Sequence, residues 1–302
     1  MPARVFLVGC PRSGTTLLQS LLSSHSAIHS WPETHFLQKL FRNKKHRQLP
    51  HSHSRWPARV SRQWHSFLSN VVVTVGWVGR KRIAKAWSGV TTTDPLVKSP
   101  NAWETHSLKA QLLYFVSVLD DDCLRVGNRL WLEKTPDHLF YVARIQRHVA
   151  RAKFIHIVRD GKEVVASLNR VARTYCAWRP YLDDMLAVER WNQAWRETLS
   201  WVGNPNHLVV RYEALLERPR RTLAQILAFI GCRAEDEIWD RFTESARELI
   251  RADEPWKQGN LDAIRDCRKF MQSFDAKRRS RIVVALDKPD WETLSRLPRV
   301  VA

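Results

Sequence analysis

The stretch Val5-Phe6-Leu7-Val8-Gly9-Cys10-Pro11-Arg12-Ser13-Gly14-Thr15-Thr16-Leu17-Leu18 constrains the chain more than any other. The apolar run Val5 to Val8 matches a strand buried on both faces, the pattern of a parallel sheet. Gly9 and Gly14 then enclose a short loop, and Leu17, Leu18, Leu21 and Leu22 follow at helical spacing. The segment reads as strand, tight loop, helix. Such a loop presents backbone N–H groups and a helix N-terminus to an anion.

Gly9 to Thr16 fits the phosphate-loop pattern G-x-x-x-x-G-K-[ST] everywhere except at the lysine, where Thr15 stands. A triphosphatase without that lysine lacks the point charge on its β- and γ-phosphates. Here the cation lies inside the loop, at Arg12 beside Pro11. This suits an anion less charged than a triphosphate, held by N–H donors and one positive group. The plainer reading is an ordinary turn of small residues.

At 302 residues the chain has room for one large α/β domain or two small ones, and 44% hydrophobic content is enough for a packed core. The formal net charge of +19 favours an anionic partner: a nucleotide, an acidic polymer, a membrane face or nucleic acid. The cysteines, Cys10, Cys123, Cys176, Cys232 and Cys267, are odd in number and form no C-x-x-C pair. They read as reduced thiols and not as a disulfide framework. No run approaches the ~18 apolar residues of a membrane span, and the N-terminal apolar run leads straight into the glycine loop. The expectation is a cytoplasmic, soluble protein.

The first helix is expected to end around Ser24–Ser26. Pro32 then interrupts any helix and leaves Glu33 at a second βα edge, as a dipole partner or a catalyst. Residues 42 to 65 are basic and scattered with histidines; His51-x-His53 is a solvated loop or, less plainly, a metal pair. Val71 to Val78 is core helix or strand. Trp77, Trp87 and Trp103, among fourteen tryptophans, serve core and lid packing or a sugar-stacking platform. His106 to Leu119 has helical periodicity, and Leu130-Trp131-Leu132 is a strand that ends in Glu133-Lys134-Thr135-Pro136. A lysine at that end of a buried strand points towards the ligand side of a parallel sheet. A helix opens at Pro136 and Asp137.

Phe154 to Val158 is a further strand, followed at once by Arg159-Asp160-Gly161 and a helix carrying Val164, Val165, Leu168 and Val171. Ser167 lies roughly two turns into that helix, so Arg159 and Ser167 together could hold a phosphate. A long amphipathic helix is expected at about Tyr181 to Trp201, a strand at His207 to Tyr212, and helices at Pro219 to Ile230 and Glu235 to Ile250, with a helical C-terminal remainder. No repeat or flexible linker interrupts this alternation. The expected fold is α/β: one three-layer, P-loop-like domain over residues 1–302, with a central parallel sheet of about five strands flanked by helices.

Together these residues resemble the sulfotransferase superfamily that uses 3′-phosphoadenosine 5′-phosphosulfate (PAPS). The branch concerned contains the protein-tyrosine sulfotransferases and related bacterial proteins. The resemblance runs from about Val5 to Leu261. Pro11-Arg12-Ser13-Gly14-Thr15-Thr16 resembles its 5′-phosphosulfate loop, and Val158-Arg159-Asp160-Gly161 through Ser167 its 3′-phosphate motif. Glu33, in Pro-Glu-Thr, aligns with the branch's general base, and Lys134 with a lysine acting on the transferring group. Tyr212 matches a tyrosine near the nucleotide. Lys257 and Asn260 resemble a C-terminal Lys-x-x-Asn that closes over it.

The resemblance implies sulfuryl transfer by in-line displacement from PAPS to a hydroxyl or amine. Arg12, Lys134 and Glu33 would be catalytic, adenosine 3′,5′-bisphosphate (PAP) would be the product, and no metal would be needed. The protein-tyrosine members are membrane-anchored with lumenal disulfides, and this chain carries neither sign. Residues 40–100 match no pattern and are the expected acceptor-facing region. Abundant tryptophan and arginine suit a carbohydrate or small-molecule acceptor, which could be anionic. The rival readings are a P-loop nucleotide or small-molecule kinase, which would need the missing lysine and an acidic Walker B residue, and a basic nucleic-acid binder, which would leave the glycine loop unexplained. Oligomeric state is not legible.

Overall fold

The computed structural model describes residues 1–41, 80–90, 107–251, 254, 256–257 and 269–302. They form two compact units, one of Met1–Thr34 with Cys123–Ala302, the other of His35–Asp122. Asn260, the 42–65 histidines, Val71–Val78, Trp77, Trp103 and Cys267 lie outside the described residues. So does most of the 40–100 region.

The larger unit is built on β1 (Ala3–Gly9), β2 (Ile28–Ser30), β3 (Leu130–Lys134), β4 (Ala152–Val158), β5 (His207–Arg211) and β6 (Val300–Val301). They form a six-stranded sheet in the order β2-β3-β1-β4-β5-β6, with every pairing parallel. The apolar run was legible because β1 is covered on both faces. On one face Val5 and Leu7 pack with Leu18, Leu21 and Leu22 of helix Thr15–Ser23 and with Leu227 of helix Pro219–Ile230. On the other, Phe6 stacks on Phe154 (5.6 Å, 20°) and meets Trp131 edge-on (5.2 Å, 84°). Gly9 is required by close strand approach: a Cβ there would lie 2.5 Å from the Ile157 carbonyl oxygen.

After β1 the chain fills one side of the sheet with β2 and β3, then crosses to the other with β4. That reversal makes the carboxyl ends of β3, β1 and β4 a topological switch point, where open parallel sheets bind ligands.

Three local differences from the sequence reading have clear causes. The helix expected from Tyr181 spans Asp184–Leu199, because Pro180 confines Cys176–Leu182 to a 3₁₀ turn and Asp183 caps the α-helix through the Met185 N–H. The helix expected at Pro136 opens as a 3₁₀ turn, Pro136–Tyr141, before Val142–His148. The C-terminal remainder is helical only in pieces, and Val300–Val301 adds a strand beside β5 that is too short to show a period.

In the smaller unit, helices Phe36–Phe41 and Arg80–Trp87 are described together with most of helix Leu108–Arg125. Phe36 stacks on Phe115 (4.2 Å, 6°), and the Trp87 indole donates to Gln111 Oε1 (2.9 Å). Trp87 is therefore a packing residue. Among the described residues no helix is long and apolar enough to cross a membrane.

Candidate active site

The loop after β1 turns through Ser13 N–H to Cys10 O (3.1 Å) and enters helix Thr15–Ser23 at Gly14, whose φ is 91°. Glycine is demanded twice here: by that left-handed backbone, and by Tyr212, whose ring would lie 2.3 Å from a Cβ. Arg12 is also left-handed, at φ 74°. For a residue with a Cβ such a conformation costs about 1–3 kcal/mol and persists only where the surroundings hold it. They do so here: Arg12 Nε donates to Ser167 Oγ (3.1 Å), and another guanidinium nitrogen reaches the Trp256 carbonyl (3.5 Å). Ser13 is fully buried, and its Oγ has no hydrogen-bond partner among the described residues. Thr15 and Thr16 form the first helical turn, where N–H groups have no intrahelical acceptor.

Arg159 leaves β4 with its guanidinium over the Tyr212 ring, 4.8 Å from the centroid, and Tyr212 begins the helix after β5. Asp160 is accounted for by structure: its side chain caps helix Gly161–Thr174 through the Lys162 N–H, and its own N–H goes to Glu213 (2.9 Å). Ser167 lies within that helix and is buried. Thus the loop after β1 and the Arg159–Ser167 segment, far apart in sequence, meet through Arg12. Burial pushes the Arg12 guanidinium down to about 10; Arg159's charge pushes the same way, and Glu33 and Tyr212 oppose it. Two guanidiniums that repel each other, Arg159 buried and Arg12 half-buried, make a place where a dianion is favoured.

A second cluster sits at the carboxyl end of β3. Glu33 Oε1 accepts from Lys134 Nζ (2.5 Å) and from Lys257 Nζ (2.6 Å), and Lys257 also donates to Glu254 Oε1 (2.5 Å). All four side chains are buried. Burial, with help from the Lys257 charge, lowers the Lys134 ammonium to about 8 against the opposing pull of Glu33.

Behind this cluster Glu133, 1% exposed, accepts from Thr34 Oγ1 (2.8 Å) and Thr135 Oγ1 (2.7 Å) and pairs with His138 Nδ1 (2.8 Å). Burial alone would raise the Glu133 carboxyl; His138 and the two hydroxyls outweigh it and hold the group below the usual range. Glu133 therefore ties Thr34, next to Glu33, to Thr135, next to Lys134.

Arg12, Ser13, Gly14, Thr15, Thr16, Glu33, Lys134, Arg159, Ser167, Tyr212 and Lys257 all fall in the larger unit, and Glu33 is near enough to act on Arg12. Lys257, expected over a nucleotide, is found on Glu33. Glu133 and Glu254 were missed. The signal for Glu133 was a carboxylate inside an otherwise apolar strand, and for Glu254 an acid three residues before a lysine.

The family profile described as "Sulfotransferase family" matches residues 2–236. The chain is 22% identical to protein-tyrosine sulfotransferase 2 of Gallus gallus over 239 residues, 78% of this chain and 52% of that protein. It is 20% identical to protein-tyrosine sulfotransferase A of Caenorhabditis elegans over 270 residues, 86% of this chain and 60% of that one. The chain thus spans little more than half the length of these curated relatives. Its fold resembles the sulfotransferase domain of the Synechococcus PCC 7002 olefin synthase (TM-score 0.54, 19% identity, 95% of this chain and 96% of that chain). It also resembles mouse sulfotransferase SULT7A1 complexed with PAP (TM-score 0.51, 14% identity, 94% and 82%).

Proposed function

The chain belongs to the sulfotransferase family, and we propose that it transfers a sulfuryl group from PAPS to a hydroxyl or amine of its acceptor. The observation that carries this reading is the convergence of Arg12, Arg159 and Ser167 on one place beside a glycine loop. The residues suit a nucleotide carrying both a 5′-phosphosulfate and a 3′-phosphate. Arg12 suits the 5′ end and Arg159 a second phosphate, the buried Ser13 hydroxyl lacks a partner among the described residues, and the Gly14 turn lets backbone approach an anion. SULT7A1, of the same fold, was solved with PAP.

In this reading the loop N–H groups, Arg12, Thr15 and Thr16 bind the 5′ end, and Arg159 and Ser167 bind the 3′-phosphate. Negative charge grows on the leaving nucleotide as the sulfuryl group departs, and preorganised donors lower the barrier most when aimed at that charge. Arg12 and Lys134 are the cations for it. Glu33 takes the proton of the acceptor, a step typically worth ~10²–10⁴-fold. A carboxylate clasped by two ammonium groups is a weak base, so one lysine must turn from Glu33 to the sulfuryl donor before the acceptor is deprotonated. Lys134, at the end of β3 where that strand runs beside β1 and its loop, suits that exchange. Asn260 and residues 40–100 are proposed to complete the nucleotide and acceptor contacts, with a carbohydrate or small molecule as acceptor.

The test is a thermal shift with PAP, with adenosine 5′-phosphate, and with ATP and Mg²⁺. A ligand at a hundred times its Kd adds ~2.7 kcal/mol. A rise in midpoint with PAP alone supports the proposal. A rise with ATP and Mg²⁺ alone would replace it with a kinase.

A further inference from the structure

The buried cluster around Glu33 contains an acid that sulfuryl transfer by Arg12, Lys134 and Glu33 does not use. Glu254 is 5% exposed, and its Oε1 holds the Lys257 ammonium at 2.5 Å. Its Oε2 is buried with no hydrogen-bond partner among the described residues. A carboxylate oxygen of Glu254 lies within 4.8 Å of one of Glu33, so Lys257 sits between two acids and is shared by them.

This arrangement poses a problem that Glu254 answers. With Lys134 and Lys257 both on one oxygen, Glu33 would be too well stabilised as an anion to take a proton. A second carboxylate draws the Lys257 charge towards itself and repels the negative charge on Glu33, and both effects make Glu33 more basic. The site also gains a resting place for the Lys257 ammonium when an acceptor hydroxyl displaces it. We infer that Glu254 is a positioning residue, which shares the Lys257 ammonium with Glu33 and so keeps Glu33 able to receive the acceptor's proton. The inference rests on Glu33 being the base in the proposed reaction.

The charged groups that face Glu33 from its own unit, among the described residues, are Lys134 at the end of β3, Arg12 in the loop after β1, and Glu254 and Lys257. His35 follows two residues along the chain. Glu254→Gln removes one of these charges and leaves side-chain size almost unchanged.

The experiment follows the Glu33 carboxyl directly by ¹³C NMR titration of protein labelled at the glutamate δ-carbon, with the resonance assigned through Glu33→Gln. It needs no knowledge of the acceptor. In Glu254→Gln the Glu33 titration should move to lower pH by about one unit or more, while Glu254→Asp, which keeps the charge, should restore most of the wild-type value. A Glu33 titration that stays in place or rises in folded Glu254→Gln overturns the inference, because a purely structural acid would leave it unmoved. PAP binding to the wild-type protein, measured by calorimetry in the same samples, separates the two levels. Failure to bind PAP removes the functional reading, whereas normal binding with an unmoved Glu33 removes only the role of Glu254.

Discussion

Replacing Arg159 with alanine should weaken PAP binding roughly 10- to 150-fold and leave adenosine 5′-phosphate binding nearly unchanged. The magnitude comes from a buried charged hydrogen bond, about 1.5–3 kcal/mol, at about 1.4 kcal/mol per decade of affinity. Arg159 is 8% exposed, so little water is available to take over its role. In the free protein its charge is a liability, since it pushes on the half-buried Arg12. Removing it relieves that repulsion and gives up a cation–π contact with Tyr212 (4.8 Å) worth about 0.5–2 kcal/mol. These two changes oppose each other, so the ligand-free melting midpoint should move little, and lost affinity cannot be blamed on unfolding. Calorimetry at about 0.15 M ionic strength limits the long-range part of the lost charge. Ser167→Ala provides a cycle: two groups on one phosphate should couple by more than about 0.5 kcal/mol. An equal loss for both nucleotides would refute the assignment of Arg159 to a 3′-phosphate.

Glu33→Ala should lower turnover by roughly two to four orders of magnitude while PAP affinity holds; unchanged turnover in folded protein removes Glu33 from the base role. Because burial brings Lys134 down to about 8, its ammonium is present below that pH and lost above it. The kcat/KM for PAPS should therefore fall as pH rises through about 8, and the residual activity of Lys134→Arg should lack that fall. A wild-type profile flat to pH 10 would show that the Lys134 charge is not used. Glu133→Gln should cost at least about 1.5–3 kcal/mol in urea unfolding, as a charged acceptor of three buried donors is lost. The sign with pH follows from its depressed carboxyl. Its contribution is present above the unfolded pKa of ~4.3 and is lost as pH falls through the lower folded value, so parent and variant should converge in acid. A variant as stable as its parent at pH 7 would show that the Glu133 contacts carry no weight.

What could be read from the sequence were features that declare themselves within a few residues. The β1 run was legible because both faces of the strand are buried, and the glycine loop because Gly9 and Gly14 answer local crowding. The place of Arg159 just past a strand end and of Ser167 on the following helix was legible from the apolar pattern on either side. Less legible was what each residue touches. Ser167 is bound to Arg12 across 155 positions of chain, a pairing no local pattern announces. Glu133 and Lys134 point to opposite faces of a strand, as alternation requires, yet both are buried because β3 is covered on both sides. A carboxylate in such a strand resembles an error in the pattern until Thr34, Thr135 and His138 are seen around it. Glu254 lay in a polar segment, where an acid ordinarily means solvent.

The tryptophans follow the same logic. Trp131 packs on Phe6, and Trp191 and Trp195 stack together at 6.4 Å within the core. Composition alone cannot separate a ring that fills a core from one that meets a sugar, since both depend on what lies opposite.

Arg12 shows why the site is a property of the folded chain and not of its motifs. Its left-handed backbone is a cost the loop would not bear alone. The contacts that hold it come from helix Gly161–Thr174 and from Trp256, segments that reach the loop only after β4 has docked beside β1 and the C-terminal part of the chain has closed. The two guanidiniums are therefore brought together against their own repulsion by the packing of the sheet. An anion that satisfies both recovers part of that cost on binding, which favours a ligand with phosphate at two positions over one with phosphate at a single end.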